Sequence, residues 1–204
     1  MNISNLTSSE QNTLDKDLHA LPWVKQVILF PFKQQLIAWL ALTPAGVEIY
    51  TQQGRSALVA KLQEHCEATD FIFETQLPPE ANATLGEQRL QQPLKDPLYH
   101  DYQEINGEHI WQGMVPVDLF YFKNHFHNYP LVPGVVQLRW VKEKVKQIYP
   151  HLPVIRHIHN LKFTKAIRPH THLELKIKWN DNKKQLAFTL LSNHEVCCKG
   201  CFIY

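Results

Sequence analysis

The stretch from Asn124 to Arg139 carries the residues best suited to chemistry: a histidine at 125, a proline-stiffened loop, and a Pro133-Gly134 step opening an apolar run. A neutral histidine near its own pKa can accept a proton. A backbone amide at a helix N-terminus favours developing negative charge, because it is unpaired there and the helix dipole points the right way. Together these suit the removal of a proton beside a thioester carbonyl, with His125 as base and the Gly134 N–H polarising the carbonyl. Glycine lets the thioester approach, and Pro133 forfeits no hydrogen bond at that end of a helix.

The elements that must position these groups divide the chain in two, at 1–90 and 91–204. In the first part Leu14, Leu18 and Leu21 are spaced for a helix that Pro22 ends. Val24 to Phe32 and Gln35 to Thr43 read as strands, and Pro44-Ala45-Gly46 as a break. Arg55 to Glu67, with Leu58, Leu62 and Cys66 in a stripe, reads as a helix. Phe71-Ile72-Phe73 reads as a short strand, and Leu77 to Asp96, proline-bearing and polar, as a linker.

In the second part His109 to Val117 and Asp118 to Phe122 form an extended run. A helix from Gly134 to Gln147 presents Leu138, Val141, Val145 and Ile148 on one face. Val154 to Ile167, Leu173 to Trp179, Gln185 to Leu191 and Glu195 to Ile203 follow as strands. One helix wrapped by a long antiparallel sheet is a hotdog fold, so the predicted class is α+β: a hotdog preceded by a small α/β subdomain.

Composition narrows the field. Hydrophobic residues are 44% of 204, enough for a core, and the formal charge of +2 gives no basis for a nucleic-acid partner. No apolar run is long enough to span a bilayer. Met1 to Asp17 lacks the build of a signal peptide, so a cytoplasmic location is the default. Cys198 and Cys201 form a C-x-x-C pair, but residues three apart in a strand face opposite ways and cannot share one ion. With Cys66 and Cys197 they read as core-filling thiols. His157 with His159, and His170 with His172, sit two apart and each pair can share a face. No third ligand accompanies them, so neither metal nor cofactor is expected. Asp118, Glu143, Glu174 and Glu195 read as solvated carboxylates.

The first part resembles the small C-terminal subdomain of the adenylate-forming acyl-CoA synthetases. The likeness rests on Leu18-His19-Ala20-Leu21-Pro22-Trp23-Val24-Lys25-Gln26-Val27, the Gly54-to-Cys66 helix and Leu77-Pro78-Pro79. Active members place a lysine about where this chain has Thr84, and their large nucleotide-binding subdomain is absent here. The resemblance therefore implies a remnant or docking module rather than an adenylating enzyme.

The second part resembles the 3-hydroxyacyl-[acyl-carrier-protein] dehydratases of the FabA/FabZ class, in the variety found in aryl-polyene-type clusters. That family reads roughly H-F-P-G-x-P-x-x-P-G-V-x-x-x-(E/D). This chain aligns without a gap from His125-Phe126-His127-Asn128 through Pro133-Gly134-Val135 to Arg139, and adds Leu161-Lys162-Phe163 and Ile167-Arg168-Pro169. The resemblance implies a hydro-lyase acting in fatty-acid or aryl-polyene-type synthesis. It further implies a homodimer and an acyl carrier protein or acyl-CoA thioester as partner. Phe126, His127, Pro133 and Val135 are expected to bind substrate.

In the family the acid is a Glu or Asp at the position of Arg139. A guanidinium stays charged and cannot cycle a proton, though it can hold a hydroxyl or carboxylate. Arg139 reads equally as part of a solvated flank with Lys142, Glu143 and Lys146, and His125 as a packing residue. Three functions stay open: a dehydratase, impaired or not, using His125 and Gly134; a non-catalytic acyl-thioester or carrier-protein binding module; and a hotdog thioesterase.

Overall fold

The computed structural model describes residues 8–66, 68 and 70–204. Glu67, the expected end of one helix, and the polar stretch up to Thr7 lie outside the described residues. The chain forms two compact units. Unit 1 takes residues up to Lys95 together with Val117–Pro130, and unit 2 takes Asp96–Pro116 and Leu131–Tyr204. His125, Phe126 and His127 therefore belong to unit 1, and Pro133, Gly134, Val135 and Arg139 to unit 2.

Unit 1 begins with α1 (Ser8–His19), then β1 (Val24–Phe32) and β2 (Gln35–Leu42). The β1–β2 hairpin turns at Lys33 and Gln34, both with positive φ. β3 (Asp70–Glu74) joins parallel to β2, giving the order β1-β2-β3. As the central strand, β2 is buried continuously from Leu36 to Leu42, which explains its unbroken apolar run. Phe30, Ile37, Trp39, Ala41, Ile72 and Leu77 form the core of this layer.

Two helices here differ from the sequence reading. Pro44-Ala45-Gly46 does not break the chain but starts α2 (Pro44–Gln53). Thr43 caps it by accepting from the Gly46 N–H, and proline at the first helical position is tolerated because its missing donor is not needed there. The expected linker contains α4 (Ala83–Gln91), capped by Asn82, whose Oδ1 accepts from the Leu85 N–H. Its few apolar residues, Leu85 and Leu90 among them, left almost no periodic signal. Between these helices lies α3 (Arg55–Gln63), burying Leu58 and Leu62 as expected. Gly54 joins α2 to α3 with φ 86° and ψ 168°, a region open essentially only to glycine.

Unit 2 is a six-stranded antiparallel sheet with one long helix. The order is β4-β5-β7-β8-β9-β6, from β4 (Leu98–Ile105), β5 (Glu108–Met114), β6 (His157–Phe163), β7 (His172–Asn180), β8 (Gln185–Ser192) and β9 (Glu195–Ile203). β4 went unread because it is a polar edge strand, exposed along nearly its entire length. The Asn106-Gly107 hairpin before β5, both residues at positive φ, was the missed signal. β5 ends at Met114, short of the expected run through Phe122. Pro116 supplies no donor, and residues 117–130 join unit 1 with a 3-10 turn at Phe120–Lys123. The strand expected from Val154 to Ile167 is only β6, whose register shifts between His159 and Lys162.

The helix α5 (Gly134–Ile148) buries Val136, Gln137, Trp140, Val141 and Val145. Its buried stripe is thus turned from the expected one, with Leu138 and Ile148 half-buried and Trp140 fully inside. Leu173, Leu175, Ile177, Leu186, Phe188 and Leu190 face the core from alternate positions of β7 and β8. No described helix is long and apolar enough to cross a membrane.

Candidate active site

In unit 1, the segment Val117–Pro130 is tied down before it reaches His125. Asp118, expected to be solvated, is instead buried, with 6% of its side chain exposed. Its Oδ1 accepts from the Tyr50 hydroxyl at 2.8 Å, and its Oδ2 accepts from the Phe73 N–H at 3.3 Å. Arg55 Nε lies 3.4 Å from the same carboxylate. Burial opposes the charge on Arg55, yet Asp118, Tyr50 and Asp70 hold its guanidinium above its ordinary pKa. Burial first, then Asp118, pushes the Tyr50 hydroxyl well up. Further along, the Phe120 N–H donates to the Leu94 carbonyl at 2.8 Å, and Lys123 Nζ lies 3.9 Å from Asp70.

The histidine loop closes on itself. The Phe126 and Tyr129 backbones exchange hydrogen bonds of 3.3 and 3.2 Å, which leaves His127 and Asn128 at the tip. His125 is half-buried, joined to Phe126 by a cis peptide, and its ring stacks on the Phe126 ring at 4.3 Å between centroids. Phe126 and His127 are exposed. The His127 carbonyl rests on Gly54, where an added Cβ would run into its oxygen and lie 2.8 Å from its carbon.

In unit 2, the N-terminus of α5 borders an open cleft of about 680 Å³. Its lining is mostly apolar and includes Gly134, Val135, Leu138, Leu161 and Phe163. Val132 and Pro133 lead the chain into the helix. The Val132 N–H donates to Ile167 at 2.9 Å, and the Pro133 carbonyl accepts from the Val136 and Gln137 amides. The amides of Gly134 and Val135 stand ahead of that ladder, where a helix carries its unspent donors. The Phe163 ring covers Gly134 so closely that a Cβ there would lie 2.8 Å from Cζ. Val135 is 76% exposed.

Gln137 was missed by sequence reasoning. It is 3% exposed, donates from Nε2 to the Val132 carbonyl at 3.0 Å, and its Oε1 has no protein partner. Its signal was a polar residue in register with Trp140, Val141 and Val145 on the buried stripe. Arg139 turns to acids: it bonds Asp96 and lies 3.6 Å from Glu143. Asp96 too was missed, since nothing in the sequence pairs residues 43 apart.

The remaining candidates separate from this chemistry. His157 and His159 do share a face, their rings 6.2 Å apart. His170 does not pair with His172. It sits in the preceding turn at φ 52°, and the ring beside His172 is that of His100. Among the described residues no group of three metal-ligating side chains assembles. All four cysteines are free thiols, and burial pushes Cys198 up to about 12. Cys198 pairs in register with Leu190 and Cys201 with Ala187, Cys198 fully buried and Cys201 not.

An antiparallel sheet that carries one long central helix, with its chain order returning β6 to the far edge beside β9, is a hotdog domain. A model for the ApeI-like proteins, described as ApeI dehydratase, matches residues 100–201, half of the 204-residue chain. The chain therefore belongs to the ApeI-like dehydratase family. Among solved structures, it is similar to the dehydratase heterocomplex ApeI:P from Xenorhabdus doucetiae at 26% identity. That match covers 53% of this chain and 96% of the other, with a TM-score of 0.49. It is also similar to an uncharacterized protein from Erwinia carotovora subsp. atroseptica at 27% identity, covering 53% and 94%, with a TM-score of 0.47. A comparison with curated proteins gave no match.

Proposed function

We propose that this chain is a 3-hydroxyacyl-thioester dehydratase-like protein of aryl-polyene or fatty-acid type synthesis, acting on acyl-carrier-protein or acyl-CoA substrates as a cytoplasmic homodimer without cofactor. What carries the reading is the gapless histidine-to-Pro-Gly motif on a chain of the ApeI-like family, with Gly134 opening α5 beside an apolar cleft. His125 takes the α-proton, and the Gly134 amide polarises the thioester carbonyl. Phe126, His127, Pro133 and Val135 contact the acyl chain or its carrier arm. Of these, Val135 borders the cleft together with Gly134. The free edge of β6 and the exposed Phe163 and Val135 support pairing with a second copy.

The evolutionary modules on this reading are 1–90 and 91–204, the first a remnant of an adenylate-forming C-terminal subdomain. That assignment is supported by the likeness of the Leu18-to-Val27 segment, the Gly54-to-Cys66 helix and Leu77-Pro78-Pro79 to that subdomain. A specific observation favours the second reading, a binding module without turnover. Arg139 occupies the acid's position and is engaged with Asp96 and Glu143 rather than replaced by a proton donor.

The deciding assay uses 3-hydroxyacyl carrier protein or its pantetheine mimic with wild type, His125→Ala and Arg139→Asp in parallel. Turnover in wild type that disappears in His125→Ala supports the dehydratase. A silent wild type with activity gained in Arg139→Asp means the chain binds thioesters without transforming them. Thiol release from acyl-CoA with no enoyl product would point to the thioesterase instead.

A further inference from the structure

The geometry points to the N-terminal module as the positioning element of the histidine loop, with Gly54, Tyr50 and Asp118 as positioning residues for His125 and His127. The loop is not held by its own strand ladder. β5 stops at Met114, and within unit 1 residues 117–130 have a single 3-10 turn and the Phe126–Tyr129 exchange as internal structure. Within unit 1, fixing contacts on the segment come from residues before Pro97. Tyr50, Arg55 and the Phe73 N–H converge on Asp118, seven residues ahead of His125. Leu94 receives the Phe120 N–H, and Asp70 faces Lys123. Gly54 supports the loop tip from below.

The Gly54 contact is the more telling of the two clamps. Its positive φ and the hydrogen bonds on either side, Gly54 N–H to Tyr50 and Leu58 N–H to Gly54, fix the α2–α3 corner. The absent side chain is filled by the His127 carbonyl and the Asn128 Cα, the latter 2.9 Å from where a Cβ would sit. A methyl group at residue 54 has only backbone to displace, so the tip must move. The same corner carries Tyr50 at one end and Arg55 at the other, so one joint sets both clamps.

That the loop serves a reaction rests on the dehydratase-like reading; that the module sets its geometry does not, and the test separates them. Histidine imidazole resonances of the full chain are compared in wild type, Gly54→Ala and Tyr50→Phe, with His157 and His159 as internal references. The expected result is displaced His125 and His127 signals in both variants, with the references unmoved. Where wild type turns over 3-hydroxyacyl pantetheine, kcat falls about tenfold to 100-fold while KM stays within about twofold, as for a misplaced base. A wild type without turnover removes the reaction but leaves the resonances to decide. If Gly54→Ala does not fold, Tyr50→Phe alone decides, since it removes one hydroxyl and no volume from the loop. Folded variants whose His125 and His127 signals match wild type overturn the proposal, as does a uniform loss of melting temperature with no histidine-specific change.

Discussion

The Tyr50 hydroxyl and the Asp118 carboxylate meet at 2.8 Å across 68 residues of sequence, and both are buried. Arg55 makes the pair a triad, so the cost of disturbing it depends on which member goes. Asp118→Ala leaves a guanidinium with 14% of its side chain exposed and only the half-buried Asp70 as counter-charge, and it strands the Tyr50 hydroxyl and the Phe73 N–H, so about 3–5 kcal/mol of stability should be lost. Tyr50→Phe removes one bond to a charged acceptor and should cost about 1–3 kcal/mol. Urea midpoints for the two variants check the order. Equal losses would mean the carboxylate is not what holds Arg55.

Gly134→Ala should be costly only while Phe163 stays. The new Cβ would meet three ring atoms at 2.8, 3.0 and 3.2 Å, and the ring or the helix must give. Overpacking of this kind costs about 1–3 kcal/mol. In a Phe163→Ala background the ring is gone, and the glycine substitution should become neutral. A double-mutant cycle reads this directly, and strictly additive effects would refute the contact.

How much of this was legible beforehand depended on whether burial was periodic. β1, β2, β3 and β7 to β9 were placed nearly to the residue, because their side chains alternate or run continuously apolar. β4 and α4 were not, being polar elements whose stability comes from neighbours rather than their own pattern. α2 was hidden by the proline that starts it. At the site, the motif located His125 and Gly134, but long-range pairs were invisible. No local rule connects Asp118 to Tyr50 or Arg139 to Asp96, so one buried carboxylate was read as solvated and another partner was not read at all.

Arg139 should matter little to stability. Its acidic partners Asp96 and Glu143 are about half exposed, at 53% and 52%. Arg139→Ala should therefore change stability by less than about 1 kcal/mol. Arg139→Asp gathers three acids and should lower the melting temperature, with added salt restoring part of the loss. A large penalty for Arg139→Ala would show that the guanidinium is a structural post, and would weaken any reading of it as a substrate contact.

Association should be sensitive to the β6 edge. Phe163 ends that strand at 48% exposed, near Val135 on the lining of the same cleft. A charge there disfavours burial against a second copy without touching the buried core. Phe163→Lys should sediment as a monomer with an unchanged circular dichroism spectrum, while wild type sediments as a dimer. A monomeric wild type would remove the homodimer from the proposed function.

Alkaline pH should destabilise the fold through its buried acids, Cys198 foremost. Burial, then the neighbouring Cys197, raises its thiol from 9.0 to about 12 in the folded protein. Well below pH 9 the thiol is neutral in both states and contributes no slope. Between 9 and about 12 the unfolded chain gives up its proton while the folded chain keeps it. The native state then binds more protons than the unfolded one, and stability must fall as pH rises through that window. Tyr50 and Tyr149, raised by burial from 10.0, add to the slope from pH 10 upward. Cys198→Ala removes one share of the early fall, to which Cys66 and Cys197 also contribute because burial raises their thiols from 9.0, so its urea midpoint should vary less than wild type between about pH 8 and about pH 10. An unchanged slope in that variant would mean that Cys198 ionises in the folded state as readily as in the unfolded chain, and that the strand β9 opens to solvent well before the domain unfolds.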